Sequence, residues 1–301
     1  MKRFNFYSIL LFALLFGFSA CSSVTDADEE NPITEEDLEL AAEIVGESLS
    51  DQNSGAMSSM YDALSNVGSQ GIRYGGPRNG VQKEISFQFA RGSERDYEYD
   101  YDPETGIHSI NFTRSVERPN FSKSVTAALE YIFADPEGTF VVFPRANRDS
   151  IETIDYSGVR EGTSEGARFE SEFVRTEEFF FEGLHETSSE FQMNGTHESQ
   201  GTRIRKPENR PEIESTYDIS IEFVDILIDK EVVEQNGSLE EGVTGTVNYS
   251  VVFSATNGDQ NRDKEVEGTV EFLGDGTGLM RFARFAKVFR LSLSDGNPQE
   301  Q

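Results

Sequence analysis

Apolar and polar residues alternate along most of the chain. Ile85, Phe87 and Phe89 alternate with Glu84, Ser86 and Gln88, and "RFESEFVRTEEFFFEG" puts Phe169, Phe173, Phe179 and Phe181 in one phase. A two-residue period is the signature of a strand with one face buried. In "STYDISIEFVDILID", Tyr217, Ile219, Ile221 and Phe223 hold one phase, then Val224, Ile226 and Ile228 hold the other. That flip predicts a bulge, or a strand buried on both faces. "TVNYSVVFSA" and "EVEGTVEFLG", joined by "TNGDQN", predict a hairpin in which Val247, Tyr249, Val251 and Phe253 share a face with Val266, Val270 and Phe272. "DPETG" at 102–106 and "DPEG" at 135–138 are turn sequences, with Pro preset for the first corner and Gly free to take positive φ. About ten to twelve strands at hairpin spacing, with no helices between them, predict a mainly β fold. The expected form is a large antiparallel sheet, as a barrel, half-barrel or sandwich, with two short N-terminal helices.

The helical period is confined to residues 34–67. "TEEDLELAAEIVGESL" starts at Thr34 with Asp37 placed for a capping box, and Leu38, Ala41, Ala42, Val45 and Leu49 fall on one face. "DQNSG" breaks this helix, and Met57, Met60, Tyr61, Leu64 and Val67 give a second, shorter stripe. Packing against the main body is the expected role of these methionines. A Gly-rich linker, "GSQGIRYGGPRNG" at 68–80, leads to the β domain at 81–295, and residues 296–301 read as a polar tail.

The first residues follow a different logic. Lys2 and Arg3 precede the apolar run Ile9 to Phe18, which ends in Ser19, Ala20 and Cys21. A basic start, an apolar core and a small-residue exit make a secretory signal peptide over residues 1–20. The run is too short for a membrane-spanning helix, which needs about 20 apolar residues. Phe18-Ser19-Ala20-Cys21 resembles the lipobox of bacterial lipoproteins, with Phe18 in place of the usual Leu. The resemblance implies cleavage before Cys21, acylation of that cysteine with fatty acyl chains such as palmitate, and, with Ser22 next, location at the outer membrane. Residues 21–33, "CSSVTDADEENPI", would then be an acidic tether. Cys21 is the only cysteine, so the chain has no disulfide frame and no thiolate metal site.

Charge narrows the partners. The chain holds 55 acidic against 26 basic residues, a net charge of −29, and cleavage after Ala20 would leave 31 excess negative charges. Nucleic acids are excluded as partners and anionic headgroups are disfavoured, since both need clustered Lys and Arg. With 7 Lys against 19 Arg, the acid excess also suits a salt-rich habitat, where ions screen it.

Four groups of residues have chemistry to weigh. In "RDYEYDYD", Asp96, Glu98, Asp100 and Asp102 lie on one strand face and Tyr97, Tyr99 and Tyr101 on the other. Carboxylates are Ca²⁺ ligands, but alternate strand residues stand about 6.5 Å apart and cannot wrap an ion. A solvated acidic face is expected, with the tyrosines as candidate ligand contacts or as a half-buried layer. His108, His185 and His197 show no HExxH spacing, and no G-x-S-x-G elbow occurs. If Asn194-Gly195 were a tight turn, His185 and His197 would approach one another across it. "RIRKPENRP" at 203–211 is the only basic cluster and reads as a loop; "GDGTG" at 274–278 lacks the Lys and helix of a phosphate loop and reads as a turn. No catalytic residue, metal or cofactor is expected. The expected function is a lipid-anchored, non-enzymatic binding or structural module of the cell envelope, with a glycan or envelope protein as partner. A carrier for lipid or another apolar ligand is the alternative, and an envelope hydrolase comes last.

Overall fold

A computed structural model describes residues 32–65, 77–78, 81–82, 96–144, 146–167, 169–185, 187–206, 212–257 and 260–301. The compact body is Ile33–Gln301. The leader, Cys21 and the strand expected around Ile85–Phe89 lie outside the described residues, as does most of the Gly-rich linker. Within that linker region the described pairs Pro77–Arg78 (β1) and Val81–Gln82 (β2) form a two-residue ladder.

Helix α1 is Glu35–Leu49 and α2 is Ala56–Ser65. Thr34 accepts from the Asp37 backbone N–H while the Asp37 carboxylate accepts from the Thr34 N–H, so the expected capping box is present. Both apolar stripes are buried: Ala41, Val45, Leu49, Met57, Met60 and Leu64 are fully enclosed. Complete burial of a Leu, Val or Met side chain contributes about 1.5–3 kcal/mol, which explains why two short helices stay docked.

The rest is one twelve-stranded antiparallel sheet in which every strand pairs with its neighbours in sequence. Its strands are β3 (Asp96–Tyr101), β4 (Ile107–Arg118), β5 (Phe121–Ala134), β6 (Thr153–Gly166), β7 (Phe169–Glu182), β8 (Glu190–Arg205), β9 (Ile213–Asp229), β10 (Val243–Asn257), β11 (Gln260–Leu273), β12 (Thr277–Phe282), β13 (Val288–Ser292) and β14 (Pro298–Glu300). The sheet is not closed, so of the three expected forms neither barrel nor sandwich applies. The expected β10–β11 hairpin is present, with Val247 opposite Val270 and Val251 opposite Val266, and the ladder runs on into the expected connection as far as Asn257 and Gln260. The phase flip in β9 is a bulge: pairing with β10 slips between Thr244 and Val247, and Asp225 takes a left-handed φ of 54°. Its N–H donates to Asn194 Oδ1 at 2.8 Å.

Three expectations need correction. A helix does interrupt the strands: α3, Lys230–Asn236, is capped by Asp229 and ended by the left-handed Gly237. Residues 296–301 are not a free tail, because β14 pairs with β13 and Gly296 packs on α1. A Cβ built on Gly46 would overlap the Gly296 carbonyl oxygen, so the helix and the β13–β14 turn touch backbone to backbone. Asn194-Gly195 is not a turn; it lies inside β8 at a register slip opposite the β9 bulge.

The α1–α2 connection fastens the helices across the sheet. Asp51 N–H and Gln52 N–H donate to the carbonyls of Leu293 and Ser294 beyond β13, while Lys123 of β5 and Arg175 of β7 donate to the carbonyls of Gln52 and Asn53. Burial first, then the nearby Arg175 guanidinium, pushes the Lys123 ammonium down to about 8.

Candidate functional site

The inward face of β6, β7 and β8 carries charge where a β core is usually apolar. Arg160 stands opposite Arg175, Glu177 opposite His197, and Arg175 opposite Ser199. Strand periodicity dictates this: Arg175 and Glu177 share the phase of Phe173, Phe179 and Phe181, so whatever buries the phenylalanines buries them too. Above them lies α2, with Ser59 and Asp62 one turn apart on its inward side.

The geometry is a closed network. Arg160 Nη1 donates to Ser59 Oγ at 2.7 Å, and Nη2 donates to Tyr156 Oη at 2.9 Å and to Asp62 Oδ2 at 3.2 Å. Ser59 Oγ donates in turn to Glu177 Oε1 at 2.8 Å. His197 Nδ1 approaches the same oxygen at 3.3 Å, with both side chains at 0 % exposure. Burial alone would push the Glu177 carboxyl up, but the Arg160 guanidinium, His197 and Ser59 together hold it below the usual carboxylate range. Burial pushes the His197 ring down, outweighing the adjacent carboxylate, so the ring is neutral at pH 7. Burial also raises the Tyr156 phenol against the pull of Arg160. Glu177 Oε2, Arg160 Nε and both ring nitrogens of His197 have no hydrogen-bond partner among the described residues.

A second polar knot joins α2 to the β9–β10 connection. Tyr61 Oη donates to Glu240 Oε2 at 2.5 Å and accepts from the Leu239 N–H, and Ser238 Oγ donates to the same carboxylate. Along α1, Arg203 bridges Glu43 and Glu47 at 3.0 Å each, and Arg205 also pairs with Glu43. Arg203 and Arg205 are therefore strand residues that grip a helix, which corrects the reading of 203–211 as a loop from its first residue; 207–211 lie outside the described residues. The "GDGTG" turn is present, at Gly274–Gly276, with Thr277 already in β12.

The residues singled out in the sequence fare unevenly. Glu98 and Asp100 are exposed on β3. Asp102 ends the strand and accepts from Glu104 N–H and Thr105 Oγ1, which hold its carboxyl below the ordinary value. Asp96 and Tyr97 lie in β3, at register positions opposite Thr113 and Phe112. Tyr99 is half exposed and bonds His108 Nδ1 at 2.8 Å, while Tyr101 packs on the His108 ring. His108, itself buried, has Nε2 3.3 Å from the Val141 carbonyl oxygen. The tyrosine row is thus partly a layer around His108. His185 sits in the β7–β8 connection, away from the strand interior that holds His197, and its carbonyl accepts from Lys230. Among the described residues the one carboxylate cluster with converging oxygens is Glu35, Glu39 and Glu300, outside the Asp96–Asp102 row. The Lys287 ammonium already lies among them, 2.7 Å from Glu35 and 3.3 Å from Glu300.

Sequence reasoning passed over Arg160, Arg175 and Glu177. The available signal was charge in a phenylalanine phase. Comparison with known protein families, with curated proteins and with solved structures returned no match.

Proposed function

We propose that this protein is a lipid-anchored module of the bacterial cell envelope that binds or scaffolds through its outer surface and performs no covalent chemistry. The lipobox-like Phe18-Ser19-Ala20-Cys21 supports the anchor. One structural observation carries the rest: Glu177 and His197, the groups best suited to proton transfer, are at 0 % exposure beneath α2, where Ser59 and Arg160 bond the helix to the sheet. A general acid or base must reach its substrate within hydrogen-bond distance, and here the helix occupies that place. The inward aromatics are likewise spent on one another, with Phe179 packed on Tyr156 at 5.7 Å and on Phe223 at 5.5 Å.

Carriage of an apolar ligand would require α1 and α2 to leave the sheet and expose these rings. Native mass spectrometry of the full chain, expressed with its own leader in a Gram-negative host, tests both readings. Acyl mass at Cys21 on an otherwise empty protein is the expected result. An unmodified Cys21 would overturn the anchor, and a removable adduct on the folded body would replace the scaffold reading with the carrier.

A further inference from the structure

We infer that the outward face of the sheet, the side that α1 and α2 leave open, docks a protein with a cationic surface; this rests on the reading above that the body binds through its outside. The alternation of β4 to β11 sorts charge by face. Every Lys and Arg of these strands stands at an inward position, in phase with the buried rings, as do Arg114, Lys123, Arg160, Arg175, Arg203 and Lys264. There they serve the covered side: Lys123 and Arg175 hold the carbonyls of Gln52 and Asn53, and Arg203 holds Glu43 and Glu47. Glu177 is the single inward carboxylate of these strands. Their outward positions carry no Lys or Arg, while Asp or Glu stands outward in every one of them except β10. Among the described residues, cations reach this face at its margin, where Arg281 pairs with Glu271, Arg284 with Glu267, and Lys206, just past β8, with Glu170. Glu161, Glu178, Glu198 and Glu222 lie exposed in its interior. Like charges on strands about 4.8 Å apart repel, and a cationic surface laid over them relieves that repulsion as it binds.

Charge alone does not select a protein over a small cation, but the same face also shows apolar side chains. Val159, Phe180, Val224, Leu227 and Val252 stand outward there, each 41–49 % exposed. Three of them gather at the β9 bulge. Val224 precedes Asp225 and Leu227 follows it by two residues; Asn194 holds the Asp225 N–H, and Phe180 is the β7 partner of Asn194. The slip in phase is what turns both Val224 and Leu227 outward. Apolar anchors within a charged rim are the anatomy of a protein interface, and a metal ion or polyamine makes no use of them. With a net charge of −29, a second copy of the chain is repelled, as are nucleic acids and anionic lipids. The face is also large enough. Eight strands about 4.8 Å apart, mostly near 14 residues long, span roughly 35 by 45 Å, more than the about 800 Å² each partner buries in a standard interface.

Cytochrome c, a compact basic protein, is the probe, and its lysine-acetylated form is the control without those charges. Each is titrated by calorimetry into the full chain held in neutral detergent micelles at low ionic strength. Binding of the native probe, abolished by acetylation and by high salt, is expected. Glu178→Lys/Glu222→Lys on the outward face should weaken it about tenfold. Glu104→Lys/Glu137→Lys makes the same charge change at exposed positions in the β3–β4 and β5–β6 turns and should weaken it about twofold or less. Phe180→Ser leaves the charge unchanged and should weaken it about threefold or more. Circular dichroism verifies that each variant is folded, and Glu178→Gln/Glu222→Gln repeats the comparison with smaller steps. No binding, equal loss from the two charge pairs, or no loss from Phe180→Ser would make the acid excess a solvating coat and overturn the docking face. The non-enzymatic envelope module would survive that result, because the acyl and adduct masses decide it separately.

Discussion

Arg160→Met tests whether the buried network is what holds α2. The substitution removes the donors to Ser59, Tyr156 and Asp62, at 2.7, 2.9 and 3.2 Å. It leaves Glu177 at 0 % exposure and Asp62 at 8 % without the guanidinium that offsets their burial. Methionine fills much of the same volume, so the cavity contribution is small. Removing one partner of a buried pair costs about 3–5 kcal/mol, a large share of the roughly 5–15 kcal/mol by which a domain is stable. Urea unfolding followed by circular dichroism should show that loss as a lower midpoint at unchanged slope. The paired variant Arg160→Met/Asp62→Leu removes both members of the direct ion pair and should regain part of it, because an apolar replacement of a whole buried pair is often neutral, while Glu177 stays bonded to Ser59. A loss below about 1 kcal/mol in the single variant, or a double variant no better than the single, would refute the argument that charge compensation governs this seam.

Other consequences can be measured with the same unfolding assay. The unfolded chain takes up a proton at His197 near pH 6.5, whereas burial keeps the folded ring neutral to lower pH. Stability contributed by His197 is therefore complete above about pH 6.5 and lost as pH falls through the window beneath it; His197→Gln should lack that part of the acid slope. Gly46→Ala would raise helix propensity by about 0.8–1.0 kcal/mol in an isolated helix. Here the new methyl collides with Gly296, so net destabilisation of about 1–3 kcal/mol is expected, and a stabilised variant would deny the close approach. Phe179→Ala, which empties a fully buried site between Tyr156, Phe181 and Phe223, should cost about 3–5 kcal/mol in the same titration.

Much of the architecture is legible in the sequence because a sheet with one buried face must alternate. The phases of Val247–Phe253 and Val266–Phe272 give two strands and the face they share, and the flip after Phe223 marks the place of the bulge while leaving a strand buried on both faces as the alternative. The helix over Lys230–Asn236 is hidden by its length: seven residues hold two turns, too few for an apolar stripe to repeat. The cap at Asp229 and the left-handed Gly237 are its remaining marks. The charged site is hidden for another reason. Arg175 and Glu177 interrupt a phenylalanine phase, and composition alone reads such an interruption as a surface position. Only the partners brought over by α2 and by β6 and β8 make burial tolerable there, and they come from more than a hundred residues away for Ser59 and from the next strand for His197.

The meander has a kinetic meaning. A chain that emerges from its N-terminus delivers β3 to β14 in the order in which they pair, so each strand can close on the one just before it, across connections that are mostly short, with 135–152 and 230–242 the long ones. The helices obey the opposite rule. α1 and α2 emerge first, yet their fastenings at Leu293, Ser294 and Gly296 arrive last. Until the C-terminal turn is delivered, the helical hairpin has lost its final clasp and the phenylalanine face beneath it is incompletely covered. Whatever guards that face against aggregation has to act until residues 293–296 have appeared.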